Sequence, residues 1–166
     1  MELAKKILTD FKDFDQPLVI KDQGLTYNRY IYKNTIQLTM DYYQKNELGS
    51  ELLSIKMVDK NIRNLVDAKD KLEEFSNQIC SRITFLSEKF KIIEIDHKNQ
   101  KVQMRSYPPF VKQNEKLFFE IIINAVEPSL YLCRKSADPA KHLITPASFI
   151  LNDEVLERLL ENLTTH

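Results

Sequence analysis

The spacing of apolar positions changes several times along this chain, and each change marks an element. Leu3, Ile7, Leu8 and Phe11 fall on one helical face, with Glu2 at the end where a helix dipole favours an acid; this predicts a short helix from Glu2 to about Phe11. From Leu25 to Val58 the residue types shift to Tyr, Ile, Thr, Leu and Met, and Ile36, Leu38, Met40 and Tyr42 alternate strictly with Thr35, Gln37, Thr39 and Asp41. That alternation predicts three strands near 25–32, 35–44 and 51–58, with turns at Lys33-Asn34 and at Lys45 to Ser50, around Gly49. Three-four spacing through Ile31, Thr35, Leu38, Tyr42, Leu48, Leu52 and Ile55 keeps a helical reading of the same stretch open.

Asp59 stands in a capping position before an apolar stripe of Ile62, Leu65, Val66, Leu72, Phe75, Ile79, Ile83 and Leu86, opposed by Lys60, Arg63, Asp67, Asp70, Lys71 and Glu74. The stripe predicts one long helix over about 60–87 as the spine of the fold. The period then returns to two. Phe90 to His97 and Lys101 to Tyr107 read as a hairpin around Lys98-Asn99-Gln100, and Leu117 to Val126 with Leu130 to Arg134 as a second around Glu127-Pro128-Ser129. Phe118, Phe119, Ile121, Ile122 and Ile123 put apolar groups on both faces of one strand, which predicts a central position covered on both sides. Pro108-Pro109 closes the first hairpin, and Ser136 to Ser148, with Pro139 and Pro146, reads as irregular. Asn152 or Asp153 then caps a last helix with Val155, Leu156, Leu159, Leu160 and Leu163 on its inner face.

The resulting order, α-βββ-α-ββββ-α, defines a single α+β domain over residues 1–166: antiparallel sheet packed by a long central helix and shorter N- and C-terminal helices. This order resembles that of secretion-chaperone-like α+β folds, which alternate helices with antiparallel strands in a similar way. The resemblance implies a protein that works by binding partners.

Composition narrows the chemistry. With 43% hydrophobic and 29% charged residues, and no run approaching the ~18 apolar residues of a membrane span, the chain reads as an ordinary globular protein that does not enter a membrane. Met1 to Lys6 lacks the apolar core of a signal peptide, so a cytoplasmic location is expected. Only two glycines occur, Gly24 and Gly49, and they are far apart. Phosphate-cradling loops and nucleophile elbows need clustered glycines, so those chemistries are excluded. Cys80 and Cys133 sit in apolar settings and read as buried thiols. Net charge is zero, which removes a global pull toward nucleic acid, although 89–116 holds seven basic against three acidic residues.

No catalytic, cofactor or metal set is assembled by spacing. Asp96 and His97 point to opposite faces of a strand end, and His166 is terminal. Asp10, Asp13 and Asp15, near the end of the first helix, and Glu73-Glu74 read as solvated charges. His142, after Cys133, Ser136 and Asp138, allows a nucleophile-base site in principle; without a glycine turn for an oxyanion hole, a small-molecule enzyme is the third reading. The second is a single-stranded nucleic-acid binder, because Tyr27, Tyr30, Tyr32, Tyr42 and Tyr43 are interleaved with Arg29, Lys33 and Lys45. The basic hairpin with Lys98, Lys101 and Arg105 either joins that face or guards a sheet edge against strand addition. The first reading is a non-enzymatic protein-binding module, whether adaptor, chaperone-like factor or assembly subunit, whose partner is another protein or a second copy of the chain. Its candidate contacts are Arg29, Tyr30, Tyr32, Tyr43, Lys98, Lys101, Arg105 and the stiff apolar loop at Pro109 and Phe110.

Overall fold

A computed structural model describes residues 2–68 and 70–165, and its strands form two antiparallel meanders joined edge to edge. The first meander is β1 (Leu18–Asp22), β2 (Leu25–Lys33), β3 (Gln37–Lys45) and β4 (Gly49–Val58). The second is β5 (Lys89–Asp96), β6 (Lys101–Tyr107), β8 (Glu115–Asn124) and β9 (Ser129–Asp138), with the short β7 (Phe110–Lys112) beside the start of β8. Pairing of β4 with β9 gives the order β1-β2-β3-β4-β9-β8-β6-β5. Residues 25–58 are therefore strands; the strict alternation around Ile36 to Tyr42 outweighs the helical spacing.

Directly opposed residues in antiparallel strands share a face, so the register sorts the side chains. One row reads Tyr30, Met40, Ile55, Leu132, Ile121, Met104 and Ile92 across seven strands, and the next reads Tyr32, Leu38, Met57, Leu130, Ile123, Val102 and Ile95. These two apolar rows form the floor of the core. Three helices cover it: α1 (Glu2–Asp13) with Ile7 and Phe11, α2 (Lys71–Arg82) with Phe75 and Ile79, and α3 (Asp153–Thr164) with Leu156, Leu159, Leu160 and Leu163. Asn152 is the cap of α3, its side chain accepting from the Val155 amide at 2.8 Å. At the other end of the layer Lys45 donates to the Phe11 and Phe14 carbonyls and neutralises the C-terminus of α1. Burial and the neighbouring Lys12 ammonium together press the Lys45 pKa down.

The long central helix is corrected. Asp59 does cap, accepting from the Asn61 amide at 3.0 Å, but it opens only a 3-10 turn at Lys60–Leu65. Val66 is extended, Asp67 and Asp70 take positive φ, and α2 starts at Lys71 and ends at Arg82. Ile83 and Leu86 stay buried on irregular chain beyond the helix. The polar run after Val66 interrupts the stripe, and β-branched Ile83 and Thr84 disfavour another helical turn. The apolar stripe is real, but three backbone conformations carry it.

The segment expected to be irregular is also ordered. β9 runs on to Asp138, turns, and pairs with β10 (Leu143–Ala147); the chain then crosses to β4 as β11 (Phe149–Asn152). Pro146 is tolerated because β10 is bonded on one side only. β8 is central as expected. Its second face is covered unevenly, since Phe118 is buried while Ile122 is half exposed.

Gly49 is where backbone approach is tightest. It pairs with Asn152, and a Cβ there would overlap the Leu151 carbonyl oxygen, a backbone atom that cannot swing aside. Gly24, in the turn from β1 to β2, has φ +79° but open space around it. Gly49→Ala is expected to cost about 2 kcal/mol in urea unfolding, and Gly24→Ala only about 1 kcal/mol from its left-handed backbone.

Candidate functional site

Among the described residues no helix covers the opposite face of the sheet. Its central row reads Leu18, Arg29, Asp41, Ser54, Cys133, Glu120, Arg105 and Lys91, one residue from each of the eight strands. Several of these groups are nonetheless buried: Asp41 is 7% exposed, Glu120 2%, and Ser54 and Cys133 are close to that. Long side chains, Arg29, Lys135 and Arg105 among them, shield this floor.

Two carboxylates organise the floor. Asp41 takes Arg29 in a two-pronged pair, with Nε at 2.8 Å and Nη2 at 3.2 Å, and accepts from Ser54 Oγ at 3.3 Å. Glu120 receives Lys135 Nζ at 2.7 Å and Gln103 Nε2 at 2.8 Å, with Arg105 Nη2 at 3.5 Å. Arg105 lies over the Phe118 ring, 4.3 Å from its centre. Burial alone would raise the Glu120 pKa; the hydrogen bonds from Lys135 and Gln103 and the charges of Lys135 and Arg105 outweigh it and hold the carboxyl below its ordinary value.

Between the two clusters the sheet forks. β4 and β9 pair directly only from Ser54↔Cys133 to Val58↔Ser129; beyond Ser54 the start of β4 turns to β11, and beyond Cys133 the end of β9 turns to β10. The fork opens a cleft of about 520 Å³. Ser54 and Cys133 lie at its base, Tyr27 and Tyr131 at its sides, and Leu25, Leu53, Ile144 and Pro146 give it apolar walls. Ile144 is 57% exposed and its neighbour Leu143 52%, so the arm beside the cleft offers apolar surface to solvent. Burial pushes the Cys133 thiol up to about 11, which keeps it neutral and a poor nucleophile at neutral pH. Burial also raises Tyr131, with Cys133 adding to it, and raises Tyr27 together with the Asp41 charge. Both phenols stay protonated and able to donate.

The structure separates the residues singled out in the sequence. Tyr30 and Tyr32 are buried against the helices, Tyr30 donating to Asp10 Oδ2 at 2.5 Å, so neither is available for stacking or docking. This corrects the expectation of one face shared with Arg29: alternation along β2 puts Arg29 on the open face and the two tyrosines beneath it. Arg29 and Arg105 do share a row, but five strand spacings, about 24 Å, lie between them. Tyr43 is half-buried. Lys98 and Lys101 are exposed at the far edge, and Pro109 and exposed Phe110 lie at β7. These nine residues do not form one patch.

His142 is exposed in the turn beyond β9, while Cys133 lies five residues down the strand from Asp138, about 16 Å away. His97 is exposed too, and His166 lies outside the described residues. Cys133 is buried and Cys80 half-buried, with its sulfur 3.4 Å from that of Met104. Among the described residues no three His, Cys, Asp or Glu side chains converge, and no helix is long and apolar enough to cross a membrane. Sequence reading passed over Asp41, Ser54, Tyr131 and Glu120. Their signal was alternation parity, which becomes a shared face only once the register between distant strands is known. Comparison of the chain with protein-family models, with curated proteins and with solved structures finds no match.

Glu120 gives a pH-dependent expectation. Its folded-state pKa is depressed, so its contribution is complete above the ordinary value of 4.5 and is lost as pH falls through the lower folded value. Glu120→Gln leaves Lys135 and Arg105 without their counter-charge. Because both are over a third exposed, the loss at pH 7 is expected to be about 2 kcal/mol, less than for a fully enclosed pair. Urea titrations of the two proteins should converge as the pH falls from 4.5 through the lower folded-state value.

Proposed function

We propose that this protein is a non-enzymatic binding module that holds an extended segment of a protein partner in the fork of its sheet. The supporting observation is the cleft itself: apolar walls from Leu53, Ile144 and Pro146 beside the neutral hydroxyls of Tyr27, Tyr131 and Ser54. Apolar walls bury a partner's side chains, and hydroxyls satisfy its backbone groups. The free edge of β10 adds main-chain donors and acceptors next to the cleft, short of the one N–H that Pro146 lacks. The carboxylate clusters on either side hold the floor in place before anything binds, which limits the ordering cost of association.

Ile144 and Tyr131 are the anchors of this reading. Peptides selected from a random display library against the wild-type chain should bind Ile144→Asp and Tyr131→Ala at least ~10-fold more weakly by calorimetry, a loss of ~1–3 kcal/mol. The melting temperatures of both variants should stay close to wild type, because both side chains are partly exposed. Selected peptides that bind both variants as tightly as wild type would place the contact elsewhere.

A further inference from the structure

β5 forms one end of the sheet, bonded to β6 on one side and, among the described residues, to no strand on the other. Its charges divide by sign: Lys89 and Lys91 come first, Glu94 and Asp96 last. A bulge falls between the two halves, since Ile92 opposes Met104, Glu94 opposes Gln103, and Ile93 between them has no partner on β6. In an unbroken strand Lys91 and Glu94, three apart, would point to opposite faces. The bulge shifts the parity, so that Lys91 opposes Arg105, Glu94 opposes Gln103, and all four charged residues lie on the open face. Phe90, Ile92 and Ile95 lie on the other face, against the helical layer.

We infer that this edge pairs with β5 of a second copy of the chain, antiparallel about a two-fold axis that passes between Ile92 and Ile93. That register sets Lys89 against the partner's Asp96, Phe90 against the partner's Ile95, Lys91 against the partner's Glu94, and Ile92 against the partner's Ile93. The Lys89, Phe90 and Lys91 pairs each match in face and in character, the central pair is apolar on both sides, and the charged pairs are all of opposite sign. The match exists only because the bulge sits at the symmetry centre. Ile93, 51% exposed in the single chain, is covered beside the axis by the partner's Ile92. Lys91 is steadied on the open face by the Tyr107 ring, 4.3 Å from its ammonium.

Charges and bulges at a sheet edge ordinarily keep other strands away. Such a guard repels a second copy when its charges have one sign. Here the sign reverses at the bulge, so antiparallel approach of an identical strand is attractive while parallel approach sets like against like. The two helical layers of the dimer lie on the same side of the joined sheet, and the forks stay open at a distance from the contact.

Sedimentation velocity on the wild-type chain should show a concentration-dependent rise from 19.6 kDa toward twice that mass, weakened by salt. Lys91→Glu alone and Glu94→Lys alone each create two like-charge pairs across the axis and should weaken self-association at least tenfold. An equimolar mixture of the two variants should form a heterodimer at wild-type strength, because each supplies the charge the other lacks. Circular dichroism of the separate variants checks that both are folded. A wild-type chain that remains at 19.6 kDa up to ~0.5 mM, single variants that associate as well as wild type, or a mixture that fails to associate would each overturn the inference.

Discussion

Five residue pairs between β4 and β9, from Ser54↔Cys133 to Val58↔Ser129, hold the two meanders together as one sheet. On the helical side of this joint Ile55, Met57, Leu130 and Leu132 are fully buried, so the covering helices bridge both meanders. The joint is short: beyond Ser54 β4 takes β11 as its partner, and beyond Cys133 β9 takes β10. β10 and β11 are the response to that parting: consecutive pieces of one segment, they satisfy the two inner edges that the split would leave bare.

On the uncovered face two carboxylates, Asp41 and Glu120, are nonetheless buried, shielded by the long side chains around them. A buried charge there is tolerated only when paired and hydrogen-bonded. Each is met by cations from strands on both sides or from its own neighbour: Arg29 on β2 for Asp41, Arg105 on β6 and Lys135 on β9 for Glu120. An apolar floor would be stickier and less specific. The paired charges set the register and leave the fork as the place where apolar surface is offered.

Secondary structure was legible wherever one residue type repeated at one period. Ile36 to Tyr42, the two later hairpins and the terminal helices all lie close to where alternation and capping put them. The spine helix misled because an apolar stripe reports burial and not backbone conformation. Ile83 and Leu86 satisfy the stripe on irregular chain beyond the helix, and the break was signalled only by the polar run from Asp67 to Asp70. The aromatic cluster misled for a related reason: tyrosine is common both in a core and on a wet face, and Tyr30 and Tyr32 took the core while Tyr27 took the cleft. The cleft itself joins residues from 22 to 146, and no local pattern contains the pairing of β4 with β9 that assembles it.

A sheet of this width has two outer edges, and the chain treats them differently. β1 is short, exposed on both faces, and closes on Lys21 and Asp22, an edge with little length to offer another strand. β5 is longer, backed on one face by buried Phe90, and bulged in the middle. A bulge costs ladder hydrogen bonds at that position, so a strand that needed only to end the sheet would do better with regular pairing and a row of lysines. Placing the bulge where the charge changes sign is what puts Lys91 and Glu94 on the same face. Sequence and backbone irregularity agree there on one arrangement, and that agreement gives the edge its meaning.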